Sequence, residues 1–182
     1  EGTAITELYN GTNWTEVSDL NTAKARGGAA GTTTAGLVFG GVPGPKNETE
    51  SWNGASWTQV GTLTTARAGR GQASAGTNTA TLFFGGEAPP GASALTESWN
   101  GASWTEVGDL NTAPPVSANT EIYNGTNWTE VNNLNTATYW AGCAGASNSD
   151  AMKMGGNTAP SNNSSATVET WNGTNWTEVA DL

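Results

Sequence analysis

The chain has 182 residues, enough for a domain with a hydrophobic core, and its 16 acidic and 6 basic residues give a net charge of −10 at pH 7. This charge repels DNA, RNA and other polyanions and therefore disfavours nucleic-acid binding. The sequence has no histidine, a single cysteine (Cys143) and no long apolar run, which excludes an intrachain disulfide and a cysteine metal cluster and disfavours a membrane span.

A short tract repeats along the whole chain. It first appears at residues 7–14 as Glu-Leu-Tyr-Asn-Gly-Thr-Asn-Trp, and it returns at residues 50–57, 97–104, 121–128 and 169–176. The Trp that ends each copy follows the one that ends the previous copy after 43, 47, 24 and 48 residues. Repeats of roughly 40 to 50 residues are typical of β-propeller blades, so the spacing predicts an all-β propeller.

Each full repeat predicts four antiparallel strands, which we name a to d in chain order. Strand a is rich in small residues, and strand b is apolar and closes on a Gly-Gly pair. Strands c and d flank the Asn-Gly pair of the tract, which predicts a tight hairpin. The recurring aromatic residues predict packing in the core. Strand a corresponds to residues 27–31, 69–75 and 141–145, and strand b corresponds to residues 36–39, 81–84 and 151–154.

One repeat is shorter than the others. Only 24 residues separate Trp104 from Trp128, and no strand b or Gly-Gly pair lies between them. Loss of two strands would leave unpaired edges, which proteins avoid. We therefore expect that about two strands belong between Ala113 and Ser117 but are absent from the printed sequence. A true deletion of these strands from the protein is the less favoured interpretation. The prediction is a single domain over residues 1–182 with about five blades, one of them incomplete, from segments 1–20, 21–64, 65–110, 111–134 and 135–182.

The segment from Thr49 to Arg67 has an acidic residue before an aromatic one, then a Trp, then Ala-Arg. This pattern resembles the Kelch repeat, and the resemblance covers essentially the whole chain. It implies four-stranded blades around an axis. Departures are a shorter turn before the Trp, Asn in place of the usual Asp, and Thr138 where other copies have Lys24 or Arg67. More loosely, the repeats are similar to Kelch-like segments of phage and marine viral structural proteins and of predicted bacterial surface proteins.

In such a blade the b–c and d–a connections share one face. The b–c loops at residues 42–47, 87–92 and 157–165 differ, whereas the c–d turns are uniform. Variable loops on a constant frame commonly bind ligands. Trp140 is the one Trp outside the repeat register, and it could stack on a sugar ring or a partner side chain, with packing inside the channel as the alternative. The predicted ligand-binding face consists of Lys24, Arg26, Lys46, Arg67, Arg70, Tyr139 and Trp140.

The residues disfavour an enzyme. Without histidine there is no usual base for a nucleophile, and the copper site of a Kelch-type oxidase of the galactose oxidase kind cannot form. A sialidase would need its three arginines from Arg26, Arg67 and Arg70, and Trp52 stands where the sialidase Asp-box has its Asp. The glutamate repeated in every copy favours a structural role. We therefore predict no catalytic residue, no cofactor and no metal site.

The sequence thus predicts a non-enzymatic binding or structural module. The best interpretation is an extracellular or virion-surface adhesion or assembly protein that contacts a glycan or a protein through the b–c and d–a loops. Two alternatives remain at this point, a glycan-cleaving, sialidase-like propeller and a self-assembling lattice or filament subunit. Formation of a homo-oligomer is compatible with the sequence, whereas nucleic-acid and membrane partners are not expected.

Overall fold

The computed structural model describes residues 2–113, 118–139, 141–158, 161 and 163–182, and only the backbone of residues 70–73 and 146. Trp140 and residues 114–117, where the sequence predicts missing strands, lie outside the described residues. The described part of the chain is all-β, with antiparallel sheets and no helix, which confirms the all-β part of the predicted fold class. It accordingly offers no helix that could span a membrane. The chain divides into two compact units, Glu1–Val107 and Gly108–Leu182.

The first unit contains two neighbouring four-stranded arrangements, each of which we call a repeat sheet. Its strands are β1 (Glu7–Tyr9), β2 (Trp14–Glu16), β3 (Gly28–Thr32), β4 (Ala35–Phe39), β5 (Lys46–Trp52), β6 (Trp57–Gly76), β7 (Thr81–Ala88), β8 (Gly91–Ala92), β9 (Thr96–Trp99) and β10 (Trp104–Glu106). Strands β3, β4, β5 and the first part of β6 form one repeat sheet. The last part of β6 joins β7, β9 and β10 in the next, while β1 pairs with β2.

The second unit contains one repeat sheet, a hairpin and a small three-stranded sheet. Its strands are β11 (Thr120–Tyr123), β12 (Trp128–Val131), β13 (Thr138–Tyr139), β14 (Gly142–Ser147), β15 (Asp150–Met154), β16 (Asn157–Thr158), β17 (Asn163–Ser164), β18 (Val168–Trp171) and β19 (Trp176–Glu178). The repeat sheet has the order β14-β15-β18-β19. Strands β11 and β12 form the hairpin, and β13, β16 and β17 form the small sheet.

The predicted strands a and b are confirmed. Strand a corresponds to β3, the end of β6, and β14, and strand b corresponds to β4, β7 and β15. The predicted c–d hairpins are also confirmed at all five Asn-Gly pairs. At the second copy, the side-chain oxygen of Asn53 accepts the N–H groups of Ala55 and Ser56 at 2.9 Å. Gly54 has φ +94°, a conformation that favours glycine, so the Asn-Gly pair fixes the turn locally.

The core of the first unit lies between its two repeat sheets. The ring centroid of Phe39 is 5.0 Å from that of Phe83 and 4.7 Å from that of Trp104, both in edge-on arrangements that aromatic rings prefer. Strand a must be small here, because a Cβ on Gly28 would come within 2.2 Å of the Phe39 ring. The buried cluster consists of Leu37, Phe39, Leu63, Phe83, Trp99 and Trp104.

Candidate functional site

The glutamate of the repeated tract holds a turn in place. Glu50 is buried, and its carboxylate accepts the backbone N–H groups of Asn21 at 2.7 Å and Thr22 at 3.1 Å, together with the Asn21 side-chain amide at 2.9 Å. We call this contact between a tract glutamate and the preceding Leu-Asn-Thr-Ala or Leu-Thr-Thr-Ala segment the glutamate clamp. It is also made by Glu97 with Thr64, by Glu121 with Asn111 and Thr112, and by Glu169 with Asn135 and Thr136.

Two cations of the predicted ligand-binding face lie inside the protein beside these carboxylates. The Nζ of Lys24 is 3.4 Å from Oε1 of Glu50, and Nη2 of Arg67 is 2.9 Å from Oε1 of Glu97. Arg67 is 0% exposed and also donates to the carbonyl of Gly85 at 3.0 Å. A buried charge needs a paired partner, so these cations neutralise the clamps. Lys24 and Arg67 are therefore placed in the interior and not on the loop surface.

In the last repeat, the cation that neutralises the clamp glutamate comes from a different position in the sequence. Thr138 occupies the place that corresponds to Lys24 and Arg67, and it is buried. The cation comes instead from strand b, where Lys153 lies directly across from Glu169 with Nζ 3.9 Å from Oε1. Lys153 also donates to the Thr167 hydroxyl at 2.8 Å. The departure at Thr138 from the repeat pattern is thus compensated by a lysine on the neighbouring strand.

The Trp that ends the tract joins one repeat to the previous one. The indole N–H of Trp104 donates to the hydroxyl of Thr49 on β5 at 2.8 Å, and both residues are buried. Two further pairs repeat this contact, Trp57 with Thr6 and Trp176 with Thr120. The aromatic residues of the tract therefore serve packing and hydrogen bonding within the fold, as their recurrence predicts.

A cleft of about 400 Å³ lies between the b–c loops of the two repeat sheets of the first unit. One wall comes from the loop before β5 and the other from the β7–β8 turn, and a residue of the d–a connection in β6 also contributes. This is the face on which the sequence predicts ligand binding. The lining residues are Val42, Pro45, Ala68, Glu87, Ala88, Pro89, Pro90 and Gly91.

The lining gives the cleft an apolar character with one charged group. Proline has no N–H to donate and a rigid ring, so Pro45, Pro89 and Pro90 present preformed apolar surface. The exposed carboxylate of Glu87 is the charged side chain of the lining. Ligand pockets in proteins are commonly mostly apolar, with a few polar groups that orient the ligand. The arrangement suits an apolar side chain with a basic or hydrogen-bonding group close by.

Two predicted cations belong to segments that adjoin the cleft, one through a backbone hydrogen bond and one along the chain. Arg26 is exposed, and its carbonyl accepts the N–H of Gly69, the neighbour of the lining residue Ala68, at 2.9 Å. Lys46 is half-buried and directly follows the lining residue Pro45. The structure therefore brings together the Arg26 and Lys46 segments on this face.

The other predicted site residues are placed elsewhere or are not described. Tyr139 is half-buried in β13 of the second unit, only the backbone of Arg70 is described, and Trp140 lies outside the described residues. The sequence placed the binding face on the b–c loops at residues 42–47 and 87–92 but did not single out Glu87 or the prolines as lining residues. Their signal is the proline-rich composition of two b–c loops, which identifies the loops but not which side chains face each other.

No protein-family model matches the chain, and no curated protein matches it significantly. The likeness to Kelch repeats therefore rests on the residue pattern alone. Among the described residues, no group of three or more His, Cys, Asp or Glu side chains is arranged to hold a metal ion.

Proposed function

We propose that this chain is a non-enzymatic binding module of Kelch-like propeller architecture that takes a segment of a partner protein into the cleft between its b–c loops. The observation that carries the proposal is the apolar, proline-walled cleft with Glu87 in its lining. The architecture is supported by repeat sheets that share one strand order and by small residues in strand a. The proposed setting is extracellular or virion-associated, and its support is the resemblance of the repeats.

The use of the charged residues supports a module without catalysis. A glycosidase needs two carboxylates that flank the scissile bond. The tract carboxylates of Glu50, Glu97 and Glu169 are 0–1% exposed and accept hydrogen bonds from backbone N–H groups of the clamped segments. The guanidinium of Arg67 is paired with Glu97 inside the protein, so an arginine cluster of the sialidase kind would lack it. These charges stabilise the fold.

The chemistry of the cleft favours a protein partner over a glycan. Sugar rings are commonly held by an aromatic platform together with several polar groups. The cleft lining instead offers Val42, alanine and proline surface and no aromatic side chain among the described residues. A peptide segment with an apolar side chain and a nearby basic residue matches this lining better, since it can bury apolar area and place its charge near Glu87.

Selection of displayed random peptides on the full chain tests the proposal. We expect enriched peptides to carry an apolar residue next to a lysine or arginine. A Pro45→Lys variant places a positive charge in the apolar wall, so it should weaken the binding of those peptides by about tenfold or more, because the added charge loses solvent on binding and repels the basic residue of the peptide. The affinities are measured by calorimetry.

The matched control is Ala55→Lys, which adds the same charge in the exposed c–d turn at the other end of the sheet. This variant should change affinity by less than about twofold. Peptides that bind wild type and Pro45→Lys equally well would contradict the cleft as the site. Binding to a glycan array, or release of sugar from a glycan panel, would favour the glycan or sialidase-like alternative.

A further inference from the structure

One arginine has a backbone conformation that is otherwise found only at glycines in the described part of the chain. Arg26 has φ +54°, and each of the other described residues with a positive φ is a glycine. This left-handed region is unfavourable for a residue with a Cβ, and arginine lacks the short polar side chain with which Asn or Asp stabilises it locally. Strained positions of this kind cluster at sites that hold ligands. The conformation of Arg26 therefore points to a role in binding.

Backbone hydrogen bonds attach Arg26 to two segments that line the cleft. The N–H of its neighbour Ala25 donates to the carbonyl of Val42 at 3.0 Å, and the N–H of Val42 donates back to Ala25 at 2.8 Å. The carbonyl of Arg26 accepts the N–H of Gly69 at 2.9 Å. Val42 lines the cleft, and Gly69 directly follows the lining residue Ala68. These bonds hold the left-handed conformation and fix the arginine backbone at the cleft.

An acidic residue lies on the other side of the same part of β6. Glu87 on β7 is directly across from Ala68, and both Glu87 and Arg26 are exposed. Hydrogen-bonded neighbouring chains lie about 4.8 Å apart, so the backbones of these two charged residues are about 10 Å apart. The segment of β6 at the cleft is therefore flanked by a basic residue on one side and by an acidic residue on the other.

We propose that Arg26 is a specificity-determining residue of the cleft, which binds the carboxylate of an acidic side chain in the partner segment. This inference rests on the function proposed above, in which the same segment places an apolar residue in the cleft and a basic residue near Glu87. A guanidinium holds a carboxylate through two parallel N–H···O bonds, and a glycine at position 26 would provide none. An extended segment advances about 3.3 Å per residue, so the charge separation predicts acidic and basic residues about three positions apart.

The charge of the protein favours a carboxylate over a phosphorylated side chain as the group that Arg26 binds. A guanidinium pairs with either group. A phosphorylated side chain carries close to two negative charges, whereas a carboxylate carries one. The chain has a net charge of −10, and Glu87 lies near the same part of β6, so the group with the smaller charge is repelled less.

The test selects displayed random peptides in parallel on the full wild-type chain and on an Arg26→Ala variant. Wild type should enrich an acidic residue about three positions from the basic one, whereas the variant should retain only the apolar and basic residues. A synthetic peptide with the wild-type consensus and an amidated C-terminus should bind Arg26→Ala about tenfold more weakly. The same peptide with its acidic residue changed to the amide should bind both chains within about twofold. Arg26→Lys, which keeps the charge without the planar donors, should give an intermediate affinity.

A stability measurement separates binding from backbone strain. Arg26→Gly removes both the guanidinium and the unfavourable conformation, so it should lose as much affinity as Arg26→Ala while its Tm rises by about 1 to 4 °C. Arg26→Ala keeps the Cβ and should not raise the Tm. The matched control for net charge is Ala55→Asp, which makes the chain more negative by the same one unit in an exposed c–d turn and should leave the affinity within about twofold.

The outcomes distinguish this inference from the function on which it rests. If wild type and Arg26→Ala bind the consensus peptide equally while Pro45→Lys weakens it, the cleft is the site and the role of Arg26 is wrong. If neither chain enriches apolar and basic residues, the proposed function is wrong and the inference is wrong with it. Tighter binding of a phosphoserine peptide than of the acidic one would overturn the assignment of a carboxylate. An unchanged or lower Tm of Arg26→Gly would overturn the argument from strain.

Discussion

At the scale of single residues, the buried glutamates show how one charge can be compensated from two directions. Lys24 and Arg67 approach their glutamates from the chain that follows the turn, whereas Lys153 approaches from the neighbouring strand. Thr138 is correspondingly uncharged. The repeat thus preserves the pairing of charges and not the position of the cation. This is a physical requirement, because an unpaired buried carboxylate is strongly destabilising.

A first prediction moves the cation that neutralises Glu169 from position 153 to position 138. Lys153→Met leaves Glu169 buried without its cation and should lower the free energy of unfolding by about 2 to 4 kcal/mol. Adding Thr138→Lys restores a cation at the position used by the earlier repeats, so the double variant should recover about half of that loss or more. Urea unfolding followed by tryptophan fluorescence gives both values.

Lys46→Met serves as the control for this exchange, because Lys46 is only half-buried and should cost less than about 1 kcal/mol. If Thr138→Lys destabilises the wild type and the Lys153→Met variant to the same extent, then a cation at position 138 does not reach Glu169. The idea of exchangeable positions would then be wrong.

The sequence predicts the structural role of the repeated glutamate but not the burial of the cations that pair with it. Recurrence in every copy indicates a role in the fold, and the clamps agree with it. Lys24 and Arg67 follow a turn, which in sequence suggests a solvated loop cation. Their burial depends on a glutamate about 30 residues away in the chain, and no local pattern reports that distance in space.

At the scale of elements, the hydrogen bond from Trp to Thr joins strand d of one repeat to strand c of the previous one. In the first unit, Trp104 combines this bond to Thr49 with a ring contact to Phe39. The last copy of the tract has Val168 at the Thr position, so that strand lacks the hydroxyl acceptor.

A second prediction measures this bond. Trp104→Phe should lower the free energy of unfolding by about 1 to 3 kcal/mol, since it removes a buried hydrogen bond and part of a buried ring. In a Thr49→Val background the same change should cost about 1 kcal/mol less, because the bond is already absent. The double-mutant cycle is measured by urea unfolding.

Trp14→Phe is the comparison for this cycle. Trp14 is exposed, so its substitution should change stability by less than about 0.5 kcal/mol. A coupling energy near zero between Trp104 and Thr49 would show that ring packing, and not the hydrogen bond, connects the two strands.

The elements themselves follow closely from local sequence. Small residues predict strand a because the Phe39 ring occupies the space a side chain would need. Asn-Gly predicts each c–d turn because the Asn side chain and the Gly backbone complete it without outside help. The short strands β13, β16 and β17 were not predicted, since they have two residues each and no alternating pattern.

At the scale of the whole molecule, the short repeat keeps its glutamate clamp. Glu121 accepts hydrogen bonds from Asn111 and Thr112, as complete repeats do with turns much further back in the chain. In a complete repeat, strands a and b therefore lie between the two parts of the chain that the clamp joins. The sequence predicts about five blades in a single domain, and these predictions stay untested. Residues 114–117, on which the question of missing strands depends, lie outside the described residues.

A third prediction completes the short repeat. Replacing residues 114–119 with the sequence of residues 24–48 supplies strands a and b together with a lysine after the turn. We expect β11 to gain a strand partner and the urea m-value to rise, because more surface is buried on folding. Hydrogen exchange should report protected amides along β11.

An insert of Gly-Ser residues of equal length is the control for this graft. It lengthens the connection without supplying a strand, so β11 amides should exchange as in the wild type. Rapid exchange along β11 in the grafted protein would contradict the view that strands a and b can be inserted as a unit between the two clamped segments.

The clamp also determines how freely the length of the repeat can vary. From turn to glutamate the chain spans 34 residues in the last repeat and 10 residues in the short one. The entropy lost on closing a flexible loop grows only with the logarithm of its length, so this difference is worth only about 1 kcal/mol. Insertions and deletions between the two fixed ends are thus thermodynamically mild, and evolution can diversify that stretch while the frame stays constant.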